Sequence, residues 1–184
     1  MNEGYVVTEG LHGRYRDVIR DGNGRIRYDS GWMNNTIVVD CRRLLAGFMR
    51  GAPTVTVGIE GLQLGAGLDL WDQTGAPQPA PGQTQLVDPN PHTVDRASLR
   101  IDYLDPATGN VSALPTSRIQ IVAQIRPGVP PWPDGNPNHA SPTLREFGLV
   151  ARLDGNTVLI NSVRHPAIPK DPTSTLDRTI WLVF

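Results

Sequence analysis

The chain has 184 residues, with 17 basic and 18 acidic side chains and a formal net charge of −1 at neutral pH. That length holds one well-cored domain and is short for two, and so balanced a charge gives no global field toward nucleic acid or an anionic membrane. The single cysteine, Cys41, excludes an internal disulfide framework and a multi-cysteine metal site.

Gly and Pro number 19 and 17, which predicts many turns between short strands. Lys170 is the sole lysine, so nearly all cationic side chains are arginine, whose rigid fork suits fixed contacts at protein interfaces. No apolar run approaches the roughly 18 residues that cross a bilayer. The first five residues lack the basic flank and apolar core of a signal peptide. The expectation is a protein made in the cytoplasm, with no membrane and no nucleic-acid partner.

The first predicted element is a β-hairpin over about 14–29. Its arms, 14–20 and 25–29, flank Asp21-Gly22-Asn23-Gly24, a run that supplies the positive φ angles of tight hairpins. Polar and apolar residues alternate on both arms, so one face is solvated or given to a partner. Arg14, Arg16, Arg25 and Arg27 are the candidate contact residues there. An amphipathic helix follows over about 36–50, where Ile37, Cys41, Leu44, Leu45, Phe48 and Met49 make one apolar stripe. Asn35 or Thr36 caps its start, Gly51 with Pro53 stops it, and it closes the core as a lid, with Cys41 a buried, inert thiol.

Residues 54–60 read as a strand from their β-branched alternation, and Gly61, Gly65 and Gly67 break any regular element behind it. Residues 71–95 read as a long loop, either functional or an arm that orders on assembly. Strands follow at 97–104, with Leu99, Ile101 and Tyr103 on one face, and at 117–126, with Ile119, Ile121, Ala123 and Ile125 on one face. A turn over 105–110 ends the first of them. A second Pro/Gly-rich loop, 127–143, carries Pro130, Pro131 and Trp132, read as a stiff apolar protrusion. The last forty residues read as a strand from Leu144, a tight Asp154-Gly155-Asn156 turn, a return strand over 157–164, a Pro-rich bend over 165–172 and a terminal apolar strand. About eight strands and one helix without a βαβ rhythm predict a mainly-β single domain over 1–184, an antiparallel β-sandwich with long loops.

Chemistry is hard to place on this pattern. His12, His92, His139 and His165 are scattered, and none has a second ligand at helical spacing. Asp69 with Asp72, and Asp102 with Asp105, read as turn chemistry. No Gly-x-Ser-x-Gly elbow occurs, and Gly58, Gly61, Gly65 and Gly67 make no phosphate cradle. Glu146 with Asp154 stays open as a glycosidase-like pair, and a structural calcium stays open as well. The sequence therefore assigns no catalytic residue, no cofactor and no metal ligand, and the protein is expected not to be an enzyme. Trp71 and Trp132, in loops, are the rings that would stack on a sugar; Trp32 and Trp181 are expected in the core.

Three stretches carry a resemblance: 25–37 (strand, Gly-Trp, Asn, then helix), 55–61 (a strand ending in Gly), and the Glu146-Phe-Gly-Leu149 strand with the Asp-Gly hairpin, the Lys170 bend and the terminal apolar strand. In that order they span about two-thirds of the chain. They resemble structural proteins of the tail, baseplate and fibre-attachment regions of tailed bacteriophages. The resemblance implies a compact virion connector, assembled in the bacterial cytoplasm as a ring or trimer, that contacts copies of itself and other tail, neck or fibre proteins. Trp71, Pro130, Pro131, Trp132 and the hairpin arginines would make those contacts. The alternatives are a carbohydrate-binding host-recognition module and a capsid decoration protein.

Overall fold

The computed structural model describes residues 10–51 and 57–184. The readings of residues 1–5, of Pro53 and of strand residues 54–56 lie outside the described residues. The fold is mainly β, as expected, but takes the form of one curled antiparallel sheet, a half-barrel, rather than two separate stacked sheets.

The strands in chain order are β1 (His12–Arg20), β2 (Ile26–Asp29), β3 (Met33–Ile37), β4 (Val57–Gly65), β5 (His92–Asp95), β6 (Leu99–Leu104), β7 (Val111–Ser112), β8 (Arg118–Ile125), β9 (Thr143–Leu153), β10 (Asn156–Leu159), β11 (Asn161–Pro169) and β12 (Thr175–Val183). Helix α1 (Val39–Arg50) follows β3, and the single turn α2 (Trp71–Thr74) follows β4. Hydrogen bonding runs β5-β4-β9-β11-β3-β1-β12-β8-β6-β7, with β2 added on β1 and β10 on β9.

Two broken strands explain the curl. β2 and β3 lie in turn along one edge of β1, separated by residues 30–32. β10 and β11 likewise share one edge of β9 on either side of Ile160. Among the described residues the strand pairing that joins the two halves of the sheet is Ile37 with Asn161 and Thr36 with Ser162. So short a seam lets the halves fold toward each other around a shared core. Near the two ends of the path, β5 and β6 are joined by one 3-10 turn, Arg96–Ser98.

Alternation fills that core. In β12, Leu176, Arg178, Ile180 and Leu182 point in while their neighbours are half-exposed. Tyr15, Leu62, Leu64, Ile121, Phe147, Leu149 and Leu176 belong to the same buried cluster, each stabilising by about 1.5–3 kcal/mol relative to exposure. β9 differs, being buried on both faces along most of its length. The outer face at Val150 joins Val38, Leu86 and Leu159 in a second, smaller cluster.

Several expected boundaries move. The hairpin forms with Ile19 opposite Tyr28, and Asp21 accepts from the backbone of Asn23 and Arg25. Asn35 and Thr36 belong to β3, so the helix starts at Val39 and its N-cap Val38 offers no side-chain bond. The chain's hydrogen bonds there go outward, Val38 N–H to Ile160 and Val39 N–H to Pro81. Gly61 does not break β4, whose register against β9 is irregular just before it, whereas the strand does end at Gly65. The expected bend over 165–172 is partly strand, because β11 continues to Pro169 past an irregularity between Arg164 and Ile168. The long 71–95 segment contains α2 and β5 and lies against the sheet rather than extending as an arm.

Candidate functional site

Helix α1 presents Cys41, Leu44, Leu45 and Phe48 at three- and four-residue spacing to the ends of β6, β8 and β12. Between them lies an open cavity of about 500 Å³, lined also by Ile101, Tyr103, Ile119, Leu182 and Phe184. The cavity is apolar, but its rim is not closed by the described residues. Phe48 is 47 % exposed, Met49 90 %, Tyr103 41 % and Phe184 43 %. The last turn of the helical stripe, expected in the core, therefore faces outward. Arg96 and Asp102 are the charged residues of the lining. Arg96 donates to the Leu99 carbonyl at 3.0 Å, and Asp102 pairs with Arg100 at 3.0 Å. Cys41 is buried as expected, and burial pushes its thiol up to about 11, against a smaller opposing effect of Arg42. A thiol of that kind is protonated at neutral pH and is a poor nucleophile.

The hairpin arginines divide into two groups. Arg14 and Arg16 stand on the outer face of β1. The Arg14 guanidinium lies 5.7 Å from the Trp32 ring centroid, and Trp32 packs on Trp181 at 4.4 Å. Trp181 donates to Gln120 at 3.0 Å. Trp32 and Trp181 are thus half-buried on the outer face rather than in the core; the odd position of Trp181 in an alternating strand carried that signal. Arg16 grips the Asp29 carboxylate through Nε at 2.9 Å and through Nη2. That hydrogen bonding, first from Arg16 and then from the Gly31 N–H, holds Asp29 down to about 2. Arg27 pairs with Asp21 at 3.0 Å near the hairpin tip, where Arg25 is also exposed.

The loop candidates lie elsewhere and face inward. Trp71 is 8 % exposed and Trp132 6 %, so neither offers a ring to a sugar or forms an apolar protrusion. The Arg164 guanidinium covers Trp71 at 5.2 Å, and Trp132 joins the main core while stacking on His139 at 4.0 Å. Pro130 is buried as well, and Pro131 alone of that group is exposed. Their burial has a common cause: the loop segments cover sheet faces and core that strands leave open.

Sequence reading missed how those segments are fastened. Glu146 of β9 accepts from the backbone N–H groups of Val87 and Asp88, at 3.1 and 2.7 Å. Its carboxyl is pushed up by burial, which outweighs those two hydrogen bonds. Asp88 accepts from Ala66 N–H at 2.8 Å and sits 3.0 Å from His139 Nε2. The other ring nitrogen of His139 lies 2.7 Å from Asp134. Asp69 and Asp72 are not simple turn residues, since both grip Arg145, at 2.9 and 2.7 Å. Asp105, by contrast, does cap its turn, accepting from the Ala107 and Thr108 N–H groups.

Catalytic geometry is not apparent in these groups. Glu146 lies within β9 and Asp154 in the turn beyond its end, about 26 Å along an extended strand, far beyond the about 5–9.5 Å of a glycosidase pair. Among the described residues no group of three or more His, Cys, Asp or Glu side chains is placed to hold a metal. No helix among them is long and apolar enough to cross a membrane. Comparison with protein-family models, with curated proteins and with solved structures finds no match to the chain.

Proposed function

We propose that the protein is a structural assembly subunit that acts through protein–protein contacts and has no catalytic role. The resemblance of its sequence to phage tail, baseplate and fibre-attachment proteins supplies the setting, a virion component built in the host bacterial cytoplasm. The observation that carries the assembly reading is the apolar end of the half-barrel. Phe48, Tyr103 and Phe184 surround a cavity of about 500 Å³ whose floor continues the protein core. Contiguous apolar surface of this kind marks interaction sites in folded proteins, and aromatic residues beside arginines are the usual anchors of such contacts. Arg14 with Trp32 and Trp181 adds a second such group on the outer face. Sugar binding through Trp71 and Trp132 loses its basis, because both rings are covered.

The test is native mass by light scattering over a range of concentrations for the wild type and Phe48→Glu. Phe48 is half-exposed, so the charge is accommodated without unfolding the monomer, which circular dichroism verifies. The expected result is a multimeric wild type and a monomeric variant. A wild type that is monomeric throughout, or equal masses for the two proteins, would overturn assembly through this surface.

A further inference from the structure

His139 is 1 % exposed, and each of its ring nitrogens faces a carboxylate: Nε2 lies 3.0 Å from Asp88 and Nδ1 2.7 Å from Asp134. Ionised carboxylates only accept hydrogen bonds, so both nitrogens must donate, which an imidazole does only as the doubly protonated cation. With one proton, a nitrogen lone pair would face a carboxylate oxygen at hydrogen-bond distance inside the protein. The two carboxylates are not equivalent. Asp88 is pinned, with its side chain fully buried and bonded by the Ala66 and Asn90 N–H groups. Asp134 belongs to the same loop as His139 and is about a third exposed. Trp132, also in that loop, lies nearly parallel to the imidazole, where its ring face favours a cation.

We propose that Asp88, His139 and Asp134 form a pH-dependent clasp: the imidazolium fastens the 127–142 loop to the 75–91 segment, and loss of one proton weakens that fastening. The other charged groups around the clasp have partners of their own. Asp134 is held below its ordinary value, first by the Asn136 N–H and then by His139 itself. Glu146, the other carboxyl at Asp88, is pushed up by burial and accepts from the Val87 and Asp88 N–H groups. Arg145 is bound to Asp69 and Asp72, Arg164 to Gln83 and Pro77, and Lys170 to the carbonyls of Arg126 and Ser174. Burial opposes the charge on His139, but the hydrogen bonds to Asp134 and Asp88 outweigh it and raise its pKa above 6.5. Docking is therefore at full strength below that value and is lost as pH rises through the raised one.

Nitrogen-15 NMR of the histidine rings in the full chain, with His139 assigned through His139→Gln, tests the protonation. Hydrogen exchange of residues 127–142 from pH 6 to 9, expressed as protection relative to the intrinsic base-catalysed rate at each pH, tests the weakening. The expected result is two protonated ring nitrogens at pH 7 and loop protection that falls across the titration, by roughly tenfold for each unit the pKa is raised. In Asp134→Asn, a surface carboxylate change that leaves the fold intact, the midpoint moves to lower pH and the exchange step moves with it. His139 carrying one proton at pH 7, or an exchange step unmoved in Asp134→Asn, would overturn the proposal.

Discussion

Arg178 and Asp17 are fully buried and joined by two hydrogen bonds, Nε to Oδ1 at 2.7 Å and Nη2 to Oδ2 at 2.6 Å. The guanidinium also lies 3.7 Å from the Phe147 centroid and donates to His165 Nε2 at 3.2 Å. Removing one partner of such a pair leaves a charge without its counterion, so Asp17→Ala is expected to destabilise the fold by about 3–5 kcal/mol in urea unfolding. Asp17→Leu combined with Arg178→Met removes both charges and is expected to cost much less. His165 sits beside this pair as a neutral ring, its Nδ1 within 2.8 Å of the Pro166 carbonyl and its Nε2 accepting from Arg178. Burial, reinforced by the Arg178 charge, lowers its pKa from 6.5 to about 4. Because the folded value is depressed, its contribution is complete above pH 6.5 and is lost as pH falls toward 4, roughly 3 kcal/mol in full. Urea midpoints measured from pH 7 to 4 should show that slope in the wild type and a shallower one in His165→Gln.

Elements were legible where local chemistry decides them. The Asp21–Gly24 hairpin, the Asp105 turn and the Gly51 stop depend on short-range hydrogen bonds and on φ angles, and they form where expected. Gly51 has φ 69° and donates to the carbonyls of Gly47 and Phe48. Gly51→Ala is therefore expected to cost about 1 kcal/mol, a fall of about 2–4 °C in melting temperature for a domain this size. What could not be read depends on distant partners. The helix begins late because β3 takes residues 33–37 to reach β1 and β11. β4 passes Gly61 because β9 and β5 hold both its edges there. Gly148 shows the same dependence within a motif that carried the resemblance: a Cβ there would meet the Asn161 carbonyl oxygen and a Leu159 methyl at 2.6 Å each. The site was less legible than the fold. Arg14 and Trp32 share a surface, but burial of Trp71 and Trp132 is decided by chain segments remote in sequence.

Those segments change what the whole molecule should do when its loops are cut. If the 127–142 loop were only a docking arm, deleting residues 128–141 would leave a folded monomer that no longer assembles. In the structure the same stretch contributes Trp132 to the main core, buries Pro130 and supplies His139 to Asp88. Asp88 in turn receives Ala66 and lies against Glu146 of β9, so the loop supports the cover over the strand that is buried on both faces. The deletion is therefore expected to abolish cooperative unfolding, not merely assembly. Trp132→Ala, which leaves the chain length unchanged, should lower stability by about 3–5 kcal/mol. Differential scanning calorimetry of the two variants separates the roles. A deletion variant that melts near the wild-type temperature would make the loop an appendage; loss of its transition, with a lowered but intact one in Trp132→Ala, would make it part of the fold. In the second case only surface changes such as Phe48→Glu can separate assembly from stability.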